Sequence, residues 1–197
     1  MNENKILNFI RENKIIFFIF LLATCFFIIE HSLFLSWDFS SYVLNAKYWF
    51  SNGNYFEPLR PPLMPLILGL FSFLGWKISE YLFIILVSIL FFYSSIRLAK
   101  NLKFNPVIFY LISLNFFLLA KSFSNGTELL SFVFLELFVI FLIENNSFSG
   151  LFLALSALSR YASLFFFPLI FLHLNIKKIS KSLLLFLIPI FIWFIYN

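Results

Sequence analysis

Few residues in this 197-residue chain could do chemistry, and they stand far apart. Asp38 is the only aspartate and follows directly on the first long apolar run. It can cap the helix that begins there, with Ser41 in reach of the same turn. Arg60 stands inside "NYFEPLRPPLMPLILGLF", among Pro58, Pro61, Pro62 and Pro65. Its planar donor fork suits a phosphate or pyrophosphate, and equally the head groups of phospholipid. Glu128 begins an apolar run, where a carboxylate favours the helix dipole and Thr127 or Asn125 can serve as cap. Glu136 falls in the middle of that run, where an ionisable group is costly and must find a partner. Arg160 interrupts "ALSRYASLFFFP" and needs an anion or a water-filled cavity, with a lipid-linked phosphate or Glu136 as candidates.

Other chemistries are excluded by what the sequence lacks. His31 and His173 fall on opposite faces, and no cluster has metal-ligand spacing. His31, beside Glu30, reads as an interfacial residue. There is no phosphate-binding glycine loop and no serine-hydrolase signature. The lone Cys25 lies inside an apolar run and reads as a buried packing residue.

The elements that must position these residues are helices in lipid. Hydrophobic residues make up 62% of the chain and charged residues 12%, against about a quarter charged in soluble domains. The 33 phenylalanines, mixed with Leu and Ile, cannot be hidden in one water-soluble core of this size, so lipid must be the solvent. The net charge of +5 comes from short basic clusters between apolar runs, which points to membrane topology and not to nucleic acid.

Apolar segments run over 15–35, 63–76, 81–96, 105–120, 128–143, 150–174 and 182–197. Lys5, Arg11 and Lys14 put the N-terminus in the cytoplasm, and "RLAKNLK" and "KKISK" should lie there too. Both clusters reach the cytoplasm only if 63–76 stays at the outer interface and 150–174 folds as a hairpin about Arg160. The expected architecture is therefore an all-α, multi-pass membrane bundle. It has crossings at 15–35, 81–96, 105–120, 128–143 and 182–197, an outer loop at 36–62, an interfacial segment at 63–76 and a broken helical hairpin at 150–174. Phe39, Val43, Ala46 and Phe50 share one face of an amphipathic helix in the outer loop. Ten helical residues rise only about 15 Å, so the hairpin tip is expected nearer mid-bilayer than the outer surface. The last run ends as it reaches the outer face, as in an N-terminal portion of a longer protein.

The order of these features resembles a known family. An Asp after the first apolar helix is followed by "Y…NA…Y…GNYFEPLRPPLMPLILGLFSFLG". Then come "SEYLFIILVSILFFYSSIRLAK", "SNGTELLSFVF" and "GLFLALSALSRYASLFFFPLIF". This resembles the polyprenol-phosphate-sugar-dependent glycosyltransferases of the GT-C superfamily, in particular the protein O-mannosyltransferase and aminoarabinose-transferase branch.

The resemblance implies a GT-C type bundle that transfers a sugar, with inversion, from a dolichyl- or undecaprenyl-phosphate carrier. The acceptor would be a glycan, lipid or protein on the extracytoplasmic side. Asp38 would be the catalytic base, and Arg60, Glu128, Arg160 and Tyr42 would bind substrate. No cofactor is required by this reading, and a divalent metal is left open. A non-catalytic relative in glycan assembly and a transporter of lipid-linked sugar are the alternatives. Transport is disfavoured because most polar residues collect in the outer loops and no repeat is visible.

Overall fold

The computed structural model describes residues 14–119, 126–173 and 175–196, and every regular element among them is a helix, with no strand. The expectations for Lys5, Arg11 and Asn125 lie outside the described residues. Among the described residues eight α-helices follow in order: α1 Lys14–Leu33, α2 Trp37–Ser51, α3 Leu63–Phe71, α4 Trp76–Asn101, α5 Pro106–Leu119, α6 Glu128–Ile143, α7 Ser149–Ser159 and α8 Ile176–Tyr196. A 3-10 turn over Ser72–Leu74 joins α3 to α4, and a 3-10 helix over Tyr161–Leu172 joins α7 to α8.

Among the described residues three helices, α1, α4 and α8, are long and apolar enough to cross a membrane. Of the five expected crossings, 105–120 falls in α5, described over 14 residues, and 128–143 is α6, with 16. At about 1.5 Å per residue α6 spans only about 24 Å, less than the roughly 30 Å hydrocarbon core. The 63–76 segment is the nine-residue α3 and its 3-10 turn. Gly75, at φ 100°, turns the chain from there into α4, a left-handed conformation that a side chain would strain.

α4 is the central helix and packs against α1, α3, α5 and α6. Its buried stripe of Phe83, Ile84, Val87 and Phe91 meets Phe27 of α1, Leu68 of α3, Tyr110 of α5 and Val133 of α6 in the main core. A smaller core joins Phe138 of α6, Leu153 of α7, Ile170 of the 3-10 helix and Phe186 of α8. Gly150 lets α7 approach α8 closely, since a Cβ there would strike the Ser182 backbone. The opposite faces of α1 and α8 expose Phe18, Phe26, Ile29, Leu184, Phe191 and Ile195, as suits helices solvated by lipid.

Ion pairs and other contacts of charged side chains mark the two ends of the bundle. At one end Arg97 Nη2 donates to both Glu144 oxygens at 2.8 Å, and Lys178 Nζ donates to the Asn145 carbonyl at 2.8 Å. His173 Nδ1 lies 3.1 Å from Asn145 Oδ1 at that same end. Lys177, Lys178 and Lys181 belong to the first turns of α8 and not to a loop before it. The other end holds Asp38, Arg60, Glu128 and Arg160.

Two expectations are corrected at that second end. Asp38 does not cap α2; Ser36 does, its Oγ accepting from the Phe39 amide at 3.3 Å. Ser41 instead donates to the Trp37 carbonyl at 3.1 Å, so Asp38 is left free to face the chain beyond α2. The hairpin about Arg160 is also asymmetric. α7 rises for 11 residues, Arg160 is extended, and the return is a 12-residue 3-10 helix containing Pro168, which removes a backbone donor. Arg160 thus stands level with Glu128, the first residue of α6, and not partway down it.

Candidate functional site

The site begins with the reversal after α2. Asn52 closes that helix in the left-handed region at φ 54°, which asparagine tolerates better than most residues. The chain then runs back beside α2, where buried Asn45 holds it from both sides. Asn45 Nδ2 donates to the Glu57 carbonyl at 3.0 Å, and the Glu57 amide donates to Asn45 Oδ1 at 2.8 Å. Pro61 and Pro62 fix the direction into α3. This clamp and elbow aim Arg60 back at the first turns of α2.

Arg60 makes three contacts there. Nη1 donates to Asp38 Oδ1 at 2.9 Å, Nε donates to Glu57 Oε2 at 2.6 Å, and the guanidinium lies 5.1 Å from the ring centre of Tyr42. Tyr55 donates to the same Glu57 oxygen at 3.1 Å. Burial opposes the Arg60 charge, but the hydrogen bonds to Glu57, Asp38 and Tyr42 outweigh it and hold its pKa above the ordinary value. The Asp38 side chain remains 48% exposed, so its carboxylate is open to a ligand.

Tyr42 links this half of the site to a third ion pair. Its hydroxyl is hydrogen-bonded with Thr127 and Arg60 and feels the charge of Glu128. Burial pushes the Tyr42 phenol above its ordinary pKa, and those two hydrogen bonds only partly counter the rise, so it stays neutral near pH 7. Thr127 makes no capping bond to α6 and spends its side chain on Tyr42 instead. Arg160 Nη1 donates to Glu128 Oε1 at 2.7 Å, while Glu128 Oε2 is buried without a hydrogen-bond partner.

All five residues expected to act on substrate therefore fall in one cluster: Asp38, Tyr42, Arg60, Glu128 and Arg160. Glu57 completes it. The sequence signal for Glu57 was its place three residues before Arg60, among the prolines. With three carboxylates against two arginines, the cluster carries one formal negative charge.

Glu136 does not join it, and it is not the anion for Arg160. It is buried between α4 and α6, where it accepts from Ser94 at 2.5 Å and from Ser95 at 2.9 Å. His31, near the end of α1, does not face outward. It is buried, with Nε2 2.8 Å from Glu80 Oε2. Cys25, expected in the packing, is exposed on α1.

A divalent metal has no evident cradle here. Among the described residues no three His, Cys, Asp or Glu converge. Asp38 and Glu57 both turn oxygens toward the guanidinium of Arg60, so these side chains do not fit a metal as they stand.

An apolar cleft of about 920 Å³ opens beside the elbow, between α2, α3, α7 and α8. Pro62 and Leu63 form one wall and Leu158 another, while Trp49, Trp193 and Tyr196 line the rest. Trp193 and Tyr196 stack at 5.8 Å, and Trp49 meets Trp193 edge-on at 5.9 Å. Trp193 Nε1 donates to the Tyr161 hydroxyl at 3.0 Å, whereas Trp49 Nε1 is buried with no partner.

Scans of this chain against protein-family models, curated proteins and solved structures return no match.

Proposed function

We propose that this chain is a membrane glycosyltransferase of GT-C type that moves a sugar from a polyprenyl-phosphate carrier to an acceptor hydroxyl. One observation carries the reading: Asp38, Tyr42, Arg60, Glu128 and Arg160, remote in sequence, meet at one end of the bundle. The apolar cleft beside Pro62 supports it, since a hydrocarbon chain lying there would hold its phosphate near Arg60.

In the reaction, the acceptor oxygen attacks the anomeric carbon as the bond from that carbon to the phosphate oxygen breaks. The acceptor proton passes to Asp38, and the bonding electrons leave with the lipid phosphate. Arg60 and Arg160 would balance the charge that grows on that phosphate. Arg60 is engaged by Asp38 and Glu57, so an arriving phosphate must compete with them. If it draws the guanidinium away, the Asp38 oxygen now bound by Arg60 is released to face the acceptor. Binding of donor would in this way ready the carboxylate.

The positive-inside rule supports this reading, since it would put the lysine-rich end in the cytoplasm and the Asp38 end outside, where the acceptor would be met. Arg60→Gln provides the test. Sugar transfer from a polyprenyl-phosphate donor should need a higher donor concentration and also run slower at saturation. Unchanged transfer would remove Arg60 from the site.

A second reading has its own observation. Arg60 already holds two carboxylates, as a purely structural clamp between α2 and the elbow would. In that case Arg60→Gln lowers the melting temperature and membranes containing either form transfer no sugar.

A further inference from the structure

We infer that the lysine-rich end of the bundle is a docking surface for anionic phospholipid, whose headgroup phosphate sits among exposed lysines around the turn from α6 to α7. This surface lies at the far end from Asp38 and does not depend on sugar transfer. Two contacts gather its parts onto that turn. Arg97 Nη2 of α4 donates to the Glu144 carboxylate, and Lys178 Nζ of α8 donates to the carbonyl of the next residue, Asn145. α1 runs antiparallel to α4, with the Phe20 and Phe92 rings 4.8 Å apart and His31 against Glu80, so its first residue Lys14 belongs to the same end.

Lys14, Lys100, Lys103, Lys177 and Lys181 are all exposed there. Among the described residues Glu144 is the one carboxylate at this end, and Arg97 and Asn101 already donate to it. Two local features carry a cost that an anion would offset. Lys103 closes α4 at φ 59°, its amide donating to the Lys100 carbonyl at 3.1 Å while the Phe104 amide donates to the Ala99 carbonyl at 2.9 Å. Glycine takes such a left-handed closing position most easily, and an exposed lysine gains no packing there. Lys177 and Lys178 fall in the first turn of α8, which holds no acid and where the helix dipole disfavours cations. Apolar side chains at the same level assign the anion to lipid. Leu102 and Phe104 flank Lys103, and Ile176, 80% exposed, precedes Lys177. A basic surface edged in this way lies in the headgroup layer. A groove of about 270 Å³ lined by Tyr93, Ile96, Arg97, Lys100 and Asn101 offers the phosphate and its first ester carbons a seat with polar and apolar walls. Zwitterionic lipid fits less well, since its ammonium would meet the lysines.

The test is lipid retention by the immobilised full chain in neutral detergent. The protein is equilibrated with equal amounts of phosphatidylglycerol and phosphatidylcholine of the same acyl chains and washed, and the retained lipids are extracted and quantified. Phosphatidylglycerol should be retained in about tenfold or greater excess. Lys100→Gln, Lys103→Gln, Lys177→Gln and Lys181→Gln combined should bring the ratio near one, whereas arginine at the same four positions should keep it. Lys103→Gly relieves the positive φ, so it should fold at least as well as the natural chain and yet lower the ratio about fivefold. A ratio near one in the natural chain would overturn the inference, as would a ratio unchanged by both the glutamine set and Lys103→Gly. Loss of the excess on adding millimolar inorganic phosphate would overturn it too, by assigning the surface to free anions.

Discussion

The guanidinium of Arg60 lies 5.1 Å from the ring centre of Tyr42, and through that ring three ion pairs become one cluster. On one side Arg60 binds Asp38 and Glu57; on the other, the Tyr42 hydroxyl reaches Thr127 beside the Glu128–Arg160 pair. Four separate stretches of chain meet there, each held by its own local device: the Ser36 cap, the Asn45 clamp, the bend at Gly126 with φ 88° and the extended Arg160.

Tyr42 can be tested by removing its parts in turn. Tyr42→Phe keeps the ring under Arg60 and loses the hydroxyl, so stability should fall by about 1 kcal/mol. Tyr42→Ala loses the stack and its burial as well and should cost about 3 kcal/mol. Unfolding in mild detergent, followed by tryptophan fluorescence, checks both. Equal effects of the two variants would show that the ring does not join the halves.

Glu136 should behave as a hydrogen-bonded clamp between α4 and α6. Glu136→Gln retains an acceptor for Ser94 and Ser95 and should leave the melting temperature within a few degrees of the natural chain. Glu136→Ala leaves both hydroxyls buried without it and opens a cavity, costing about 2 to 4 kcal/mol. Thermal melts of the two variants in one detergent make the comparison.

Much of the helical layout was legible in the sequence, for definite reasons. Pro62 and Gly75 bracket a run too short to cross, and Ser159–Arg160 interrupts a run too long for one helix. The choice of Asp38, Tyr42, Arg60, Glu128 and Arg160 as site residues rested on the resemblance drawn in the sequence and not on spacing. Their partners were not legible. Arg160 pairs with Glu128 and not Glu136 because α7 is short and its return is 3-10, which no apolar pattern announces. Nor does the sequence tell Ser36 from Asp38 as the cap, since either residue type serves. His31 reads as interfacial because its partner Glu80 lies 49 positions away.

At the lysine-rich end, acid should weaken the tie between α4 and α6. Burial alone would raise the Glu144 pKa, but the hydrogen bonds from Arg97 and Asn101 outweigh it and hold it below the ordinary carboxylate value. A depressed folded-state value contributes stability above the unfolded carboxylate's pKa, and that contribution is lost as pH falls through the folded one. Melting temperature should therefore drop below about pH 4.5, and Glu144→Gln should shrink that drop. An unchanged acid profile in the variant would assign the loss to other groups.

Close approach of α7 and α8 depends on Gly150. Gly150→Ala would drive a methyl group into the Ser182 backbone and should cost about 1 to 3 kcal/mol. It should also disturb the Ser149–Ser182 contact, oxygen to oxygen at 3.0 Å. A chemical melt reads the loss, and a neutral result would mean that α8 can shift freely.

The role of Asp38 is decided by one comparison, Asp38→Asn against the natural chain. Membranes containing each protein at equal, folded amounts are given a labelled polyprenyl-phosphate sugar and assayed for transfer to acceptor. Loss of the base should lower the rate by about 10²- to 10⁴-fold at saturating donor, while the half-exposed position keeps the melting temperature nearly unchanged. Transfer at the natural rate by Asp38→Asn, or no transfer by the natural chain itself, would contradict the assignment.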